Sequence, residues 1–272
     1  MIRKTLLFSI LCLCISTHAS SVKNSHHKDH ISYAEVFHNH KLNTSDKWEN
    51  YLEIYDDTFQ KFIGKSPNTL EIGVQNGGGL QIFSKYFINA NVYGIDIDPK
   101  VCEQKLGKNI TTYCFSATDV KRVEENFKNI QFDVIVDDGS HISSEVIAAF
   151  QIFFSKLKPG GVYLIEDLHT SYWDSHQGGY LKENASIEFL KKFVDLLNFY
   201  HIKDENFLKK ISEKDRYVFE WLESITFYDS VAVIKKRMTQ RAERYKRMVV
   251  GKFQPVVPSI DSAKKDDDYY SH

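Results

Sequence analysis

A doubly wound α/β fold, built on a mostly parallel sheet of seven strands, is the architecture this sequence predicts from three observations. Short apolar runs alternate with segments of helical periodicity from Thr69 to Ile165. That is the order of βαβ units, whose parallel strands are buried on both faces. A glycine turn, "LEIGVQNGGGL", stands between the first apolar run and the first helix. Two later runs, "VIVDDGSH" and "VYLIEDLHTSYW", stop abruptly at carboxylates and histidine. Ligands of open α/β sheets sit beyond the carboxyl ends of the strands, so such endings are where chemistry is expected.

Taken in order, residues 20–45 are polar and His-rich ("NSHHKDH", "FHNHKLN") and are expected to be mobile, with metal binding as the alternative. Trp48, Tyr51, Leu52, Tyr55, Phe59, Phe62 and Ile63 fall at helical spacing. "TLEIGV", "NVYGIDID", "ITTYCFSA", "FDVIVDD" and "VYLIED" read as five strands. Between them lie four helices: "GGGLQIFSKYF", "PKVCEQKLG" with Pro99 in its first turn, "DVKRVEENFKNI" capped by Thr118 or Asp119, and "SSEVIAAFQIFFSKLKPGG". After Trp173 come a loop and two helices over about 185–213, placed as a lid of about 170–215 would be. "ITFYDSVAVIKK" is expected to return as a hairpin turning at Tyr228–Ser230 and to add one antiparallel strand. The basic stretch "KKRMTQRAERYKRM" reads as a solvated helix, and the end of the chain, to residue 272, as disordered.

The first residues carry Arg3 and Lys4, an apolar stretch from Leu6 to Ile15, and small residues around Ala19. This is the order of a signal peptide over 1–19, too short to span a bilayer comfortably. It predicts a secreted or periplasmic protein with no integral membrane span in the mature chain; a start site further downstream would make the protein cytoplasmic. Basic residues number 35 against 36 acidic, so no overall field favours nucleic acid. Cys102 and Cys114 remain after such a cleavage, and either a disulfide or two buried thiols accounts for them. Homo-oligomerisation is left open.

Glycines after the first strand let a ligand approach the backbone, and the helix N-terminus offers free N–H groups. The spacing Gly73-x-x-x-Gly77-Gly78-Gly79 is not the dinucleotide pattern G-x-G-x-x-G. Asp96 ends the second strand, where an acid can accept both ribose hydroxyls. Turn and acid, with Glu71 beside them, point to an adenosine-like ligand. The plainer alternative is a tight turn, with Asp96 capping the next helix.

If the fourth and fifth strands are neighbours, their ends lie about 4.8 Å apart, and Asp138, Glu166 and Asp167 converge. Three carboxylates so close repel unless a cation neutralises them, and hard oxygen donors suit Mg²⁺. His141 follows in the same loop and suits a general base, with His169 as its rival. The plainer alternative has Asp137 and Asp138 capping the helix at Ser143.

The motifs "LEIGVQNGGGLQIFSKYF", "VYGIDIDP", "DVIVDDGSH", "GGVYLIEDLHTSYW" and "SITFYDSVAVIKK", together with "DKWENYLEIYDDTF", resemble class I S-adenosylmethionine-dependent O-methyltransferases of the macrocin and mycinamicin type. These are Mg²⁺-dependent enzymes that methylate sugar hydroxyls. The resemblance covers about 46–236 and implies a Rossmann-like methyltransferase domain. It makes Asp138, Glu166 and Asp167 metal ligands and His141 the base. Glu71, Gly73, Asp96 and Asp137 would lie on S-adenosyl-L-methionine, with Asp119 as a further contact. It implies an acceptor hydroxyl on a sugar or glycosylated natural product; Tyr172 and Trp173 could stack against such a ring or, equally, serve as buried anchors of the lid. The family's Gly-Asp-Gln is replaced here by Phe115-Ser116-Ala117-Thr118-Asp119, and the signal segment and basic tail also depart from the family. The rival reading is an exported, non-catalytic relative that binds a nucleoside or glycan.

Overall fold

The computed structural model describes residues 31–253 and 255–256; the signal segment, residues 20–30 and the end of the tail lie outside them. The compact unit begins at Ser32. Its elements are α1 (Tyr33–His38), α2 (Glu49–Phe59), β1 (Asn68–Ile72), α3 (Gly78–Tyr86), β2 (Asn91–Asp96), α4 (Pro99–Cys102), β3 (Ile110–Cys114), α5 (Val120–Phe127), β4 (Phe132–Asp137), α6 (Ser143–Phe153) and β5 (Leu157–Ile165). The insertion follows with α7 (Ser186–Lys191), α8 (Phe193–Leu197), α9 (Glu205–Lys210) and α10 (Glu213–Trp221), before β6 (Leu222–Tyr228) and β7 (Val231–Lys236).

The strands form one seven-stranded sheet in the order β3-β2-β1-β4-β5-β7-β6. β7 alone runs antiparallel to the rest, through its pairings with β5 and β6. The order reverses between β1 and β4, where Ile72 pairs with Asp137, and β4 lies beside β5, with Asp137 opposite Ile165. The adjacency on which the acid cluster depends is therefore present.

Alternation along the strands builds a core on each face. Leu70, Ile72, Ile135, Tyr163 and Ile165 pack with α5, α6 and the insertion. Val134, Val136, Val162 and Leu164 pack with α1, α2 and α3. Period-two geometry sends Glu71, between Leu70 and Ile72, to the second face.

Three expectations need correction. Residues 32–45 are folded rather than mobile: Tyr33 and Val36 are buried, and Asn43 is tied to Gln81, Asn76 and Gln104. The insertion is not a lid over its whole length, because Ile187, Leu190, Phe193, Leu196, Val218 and Phe219 bury their apolar faces in the core. The basic stretch after Lys236 forms no helix over 237–253. Arg237, Arg241 and Arg244 would repel at helical spacing with no apolar face to dock. Backbone bonds from Arg237 to Trp221 and from Arg241 to Glu220 hold the segment instead, and the Arg241 guanidinium lies over Tyr200.

Candidate active site

At the switch point β1 is followed by Gly73, whose φ is 86°. A Cβ there would lie 2.0 Å from the Asp138 carbonyl oxygen, so only glycine lets the ends of β1 and β4 close up. Asp96 pins the turn that follows. Its Oδ2 accepts from the Val74 and Gln75 amides at 2.8 and 2.9 Å, and its Oδ1 accepts from Asp98 N at 2.9 Å. The cap of α4 is Asp98, not Asp96. Beside Asp96 lies a cavity of about 190 Å³ lined by Gly73, Ile97, Phe115, Ser116, Thr118, Asp137 and Glu145. Ser116 and Thr118 share a hydroxyl hydrogen bond of 2.8 Å on its wall. Asp119 does not line this cavity; its carboxylate accepts from Arg122 N and caps α5. A disulfide joins Cys102 to Cys114, fastening α4 to the end of β3.

A second opening of about 490 Å³ shares Gly73, Asp96 and Gly139 with the first and runs on past Glu71 to Asp138, His141 and Asp167. Glu71 is buried and its Oε2 has no hydrogen-bond partner. Burial pushes its carboxyl up to about 8, against the pull of Lys47. Asp137 is buried too and accepts from the Tyr163 hydroxyl at 3.0 Å. Burial raises it to about 7, although that bond pulls the other way.

Asp138, His141 and Asp167 each offer one donor atom, and these atoms lie within 4.8 Å of one another. The His141 Nε2 stands 3.8 Å from Asp138 Oδ1 and 3.6 Å from Asp167 Oδ2. His141 and Asp167 both hold left-handed backbone, φ 57° and 52°, conformations that persist only where surroundings enforce them. The Thr170 hydroxyl reaches the carbonyls of both, at 3.2 and 2.7 Å, and so joins the two loops. Tyr51 donates to Asp167 Oδ1 at 2.7 Å. Two carboxylates and an imidazole at a partly exposed mouth suit a divalent ion whose shell water completes.

Glu166 is not part of that trio. It is buried, and both its oxygens accept from Lys47 Nζ, at 3.2 and 3.0 Å. The same ammonium donates to Asp138 Oδ2 at 2.5 Å and stands 3.9 Å from Glu71 Oε1. Burial alone would lower the Lys47 pKa, but Glu166, Asp138 and Glu71 outweigh it and hold the ammonium well above its ordinary value. The helix-capping alternative for Asp137 and Asp138 fails, since Ile142 occupies the α6 N-cap without a side-chain bond. His169 Nδ1 lies 2.6 Å from Ser230 Oγ and 3.9 Å from Asp167 Oδ1, with its ring between those of Trp48 and Trp173. Trp48, Tyr172 and Trp173 are 60%, 46% and 49% exposed, so none is a buried anchor.

Lys47, Tyr51 and Thr170 are site residues that pattern reading missed. Tyr51 hides within a helical apolar stripe, and Thr170 within a motif read for its acids. A single lysine ahead of a helix carries no signal of its own.

Residues 70–168 match the family described as a methyltransferase domain. An 8-demethyl-8-alpha-L-rhamnosyl tetracenomycin-C 2'-O-methyltransferase from Streptomyces olivaceus is 36% identical over 57% of this chain and 43% of its own. A demethylmacrocin O-methyltransferase from Streptomyces fradiae is 31% identical over 56% of this chain and 41% of its own. The chain thus spans less than half the length of these curated relatives. Among solved structures, the MycE methyltransferase of the mycinamycin pathway, in complex with Mg and SAH, superposes with a TM-score of 0.63. It is 27% identical over 71% of this chain and 50% of its own. A second MycE structure adds mycinamycin VI to the complex and has a TM-score of 0.60 at 26% identity, again over 71% of this chain and 50% of its own. Residues 70–168 thus match a methyltransferase domain, and the seven-stranded sheet around them has the class I methyltransferase fold, as the motifs predict.

Proposed function

We propose that this protein is an S-adenosylmethionine-dependent O-methyltransferase that acts, with Mg²⁺, on a hydroxyl of a sugar or a glycosylated natural product. The observation that carries this reading is the junction at Gly73, Asp96 and Gly139, where the cavity of about 190 Å³ adjoins the larger opening that runs to the Asp138–His141–Asp167 cluster. The nucleoside of the donor fills the cavity, with Asp96 at the ribose and the hydroxyls of Ser116 and Thr118 in place of the family's Gly-Asp-Gln. The unpartnered oxygen of Glu71 accepts from the amino group of the methionine half.

Mg²⁺, held by Asp138 and Asp167, would acidify and orient the acceptor hydroxyl. His141 takes the hydroxyl proton, and the acceptor oxygen attacks the sulfonium methyl in line, releasing S-adenosylhomocysteine. The exposed rings of Trp48, Tyr172 and Trp173 offer faces to the sugar. Positioning and charge neutralisation supply most of the acceleration.

The test is transfer of labelled methyl groups to a panel of glycosides. Transfer that needs Mg²⁺, is abolished by EDTA and vanishes in His141→Ala while donor binding persists supports the reading; unchanged turnover in His141→Ala rejects the base. An exported, non-catalytic binder is the second reading, favoured by the Cys102–Cys114 disulfide, which suits an oxidising compartment. Micromolar donor binding with no transfer to any glycoside would favour it.

A further inference from the structure

We propose that the Cys102–Cys114 disulfide is a redox-sensitive clamp on the outer wall of the nucleoside cavity. Closed, it holds that wall in the shape the donor needs; opened by a thiol reductant, it releases the wall and weakens donor binding. This rests on the donor reading above.

Sheet order makes this wall the less restrained one. β3 is an edge strand, paired with β2 alone. Its last residue, Cys114, lies opposite Asp96, the last residue of β2. Both strands then run straight into the cavity, with Ile97 on one side and Phe115, Ser116 and Thr118 on the other. The inner wall, by contrast, follows β1 and β4, each of which has a neighbour on both sides.

The two sides of the outer wall are held unequally. Phe115 is buried and packs on Phe127, so its side is anchored in the core. Ile97 is 76% exposed and leads into α4, which has only four residues. A helix so short does not sustain itself. The Asp98 carboxylate caps its start by accepting from Lys100 N at 2.9 Å, and Val101 is its one buried residue. The disulfide holds its other end to β3 across a sequence separation of 12. Neither cysteine lines the cavity, so both are positioning residues. A wall ordered in advance loses less entropy when the donor binds.

The bond is also within reach. Cys102 is exposed and Cys114 half-buried, and accessible disulfides are the labile, regulatory kind. A dithiol supplies two electrons and two protons: the S–S bond breaks, Cys102 and Cys114 become thiols, and the dithiol leaves as its own disulfide.

Calorimetric titration of S-adenosylmethionine into the full chain, before and after dithiothreitol, tests the clamp. Reduction is expected to weaken donor binding about tenfold, and reoxidation to restore it. Cys102→Ser/Cys114→Ser should bind at the reduced level with or without dithiothreitol. Affinity unchanged by reduction would overturn the proposal, as would a double variant that still responds to dithiothreitol. Hydrogen exchange without donor supplies the second readout. On reduction, amides of residues 100–102 and 111–118 should exchange about tenfold faster or more, while those of β4 and β5 keep their rates. Equal acceleration across the sheet, or none at all, contradicts the clamp. Failure of the donor reading would show differently, as an oxidised protein that binds no S-adenosylmethionine, and the exchange experiment would still decide whether the disulfide holds the wall.

Discussion

The two halves of the mouth hold their carboxylates by different means. On the donor side, Asp96 is satisfied by three backbone amides from the turn and loop around it. On the acceptor side, Asp138 and Glu166 are satisfied by Lys47, 91 and 119 residues away in sequence. The donor half is thus built locally, by strand ends and glycines. The acceptor half exists only once the segment before α2 has docked on the sheet. Backbone N–H groups cannot be mutated away or displaced, whereas a lysine can, so the acceptor half is where charge can be altered without undoing the turn.

Substitutions can break or sharpen this contrast. Gly73→Ala should have the largest effect, since its Cβ meets the Asp138 backbone and its φ is left-handed; a loss above about 3 kcal/mol is expected in denaturant unfolding. Asp96→Ala strips the turn of its acceptor and should cost about 2 kcal/mol, together with donor affinity, as read by calorimetry. A smaller effect, and one that depends on pH, is expected at Asp137. Its pKa is raised in the fold from an ordinary 3.8 to about 7, so between those values the native state holds a proton that the unfolded chain has lost. Stability then falls as pH rises across this window, by up to about 1.4 kcal/mol per pH unit. Asp137→Asn should flatten that slope in melts from pH 5 to 7. Asp119→Ala comes last: loss of a helix cap costs about 1 kcal/mol, and donor affinity should not change.

What could be read from the chain follows the same division. The mostly parallel seven-stranded sheet, the glycine turn after the first strand and the final hairpin rest on short-range patterns of period, glycine and strand ending, and the structure matches them. The convergence of Glu166 with Asp138 and Asp167 follows from strand endings, whereas Lys47, which donates to both Glu166 oxygens, arrives from outside the strand pattern. Of the two caps offered for α5, Thr118 and Asp119, the structure uses Asp119. The basic tail shows helical composition without an apolar face, and composition alone does not make a helix.

The central claim is that one pocket for a sulfonium nucleoside opens onto one divalent-ion site. Titration of S-adenosylmethionine into the purified chain tests it most directly. The account predicts binding at one site per chain with micromolar affinity, lost in Asp96→Ala and retained in Asp138→Asn. No binding by the wild type, or binding that survives Asp96→Ala and disappears in Asp138→Asn, would contradict it.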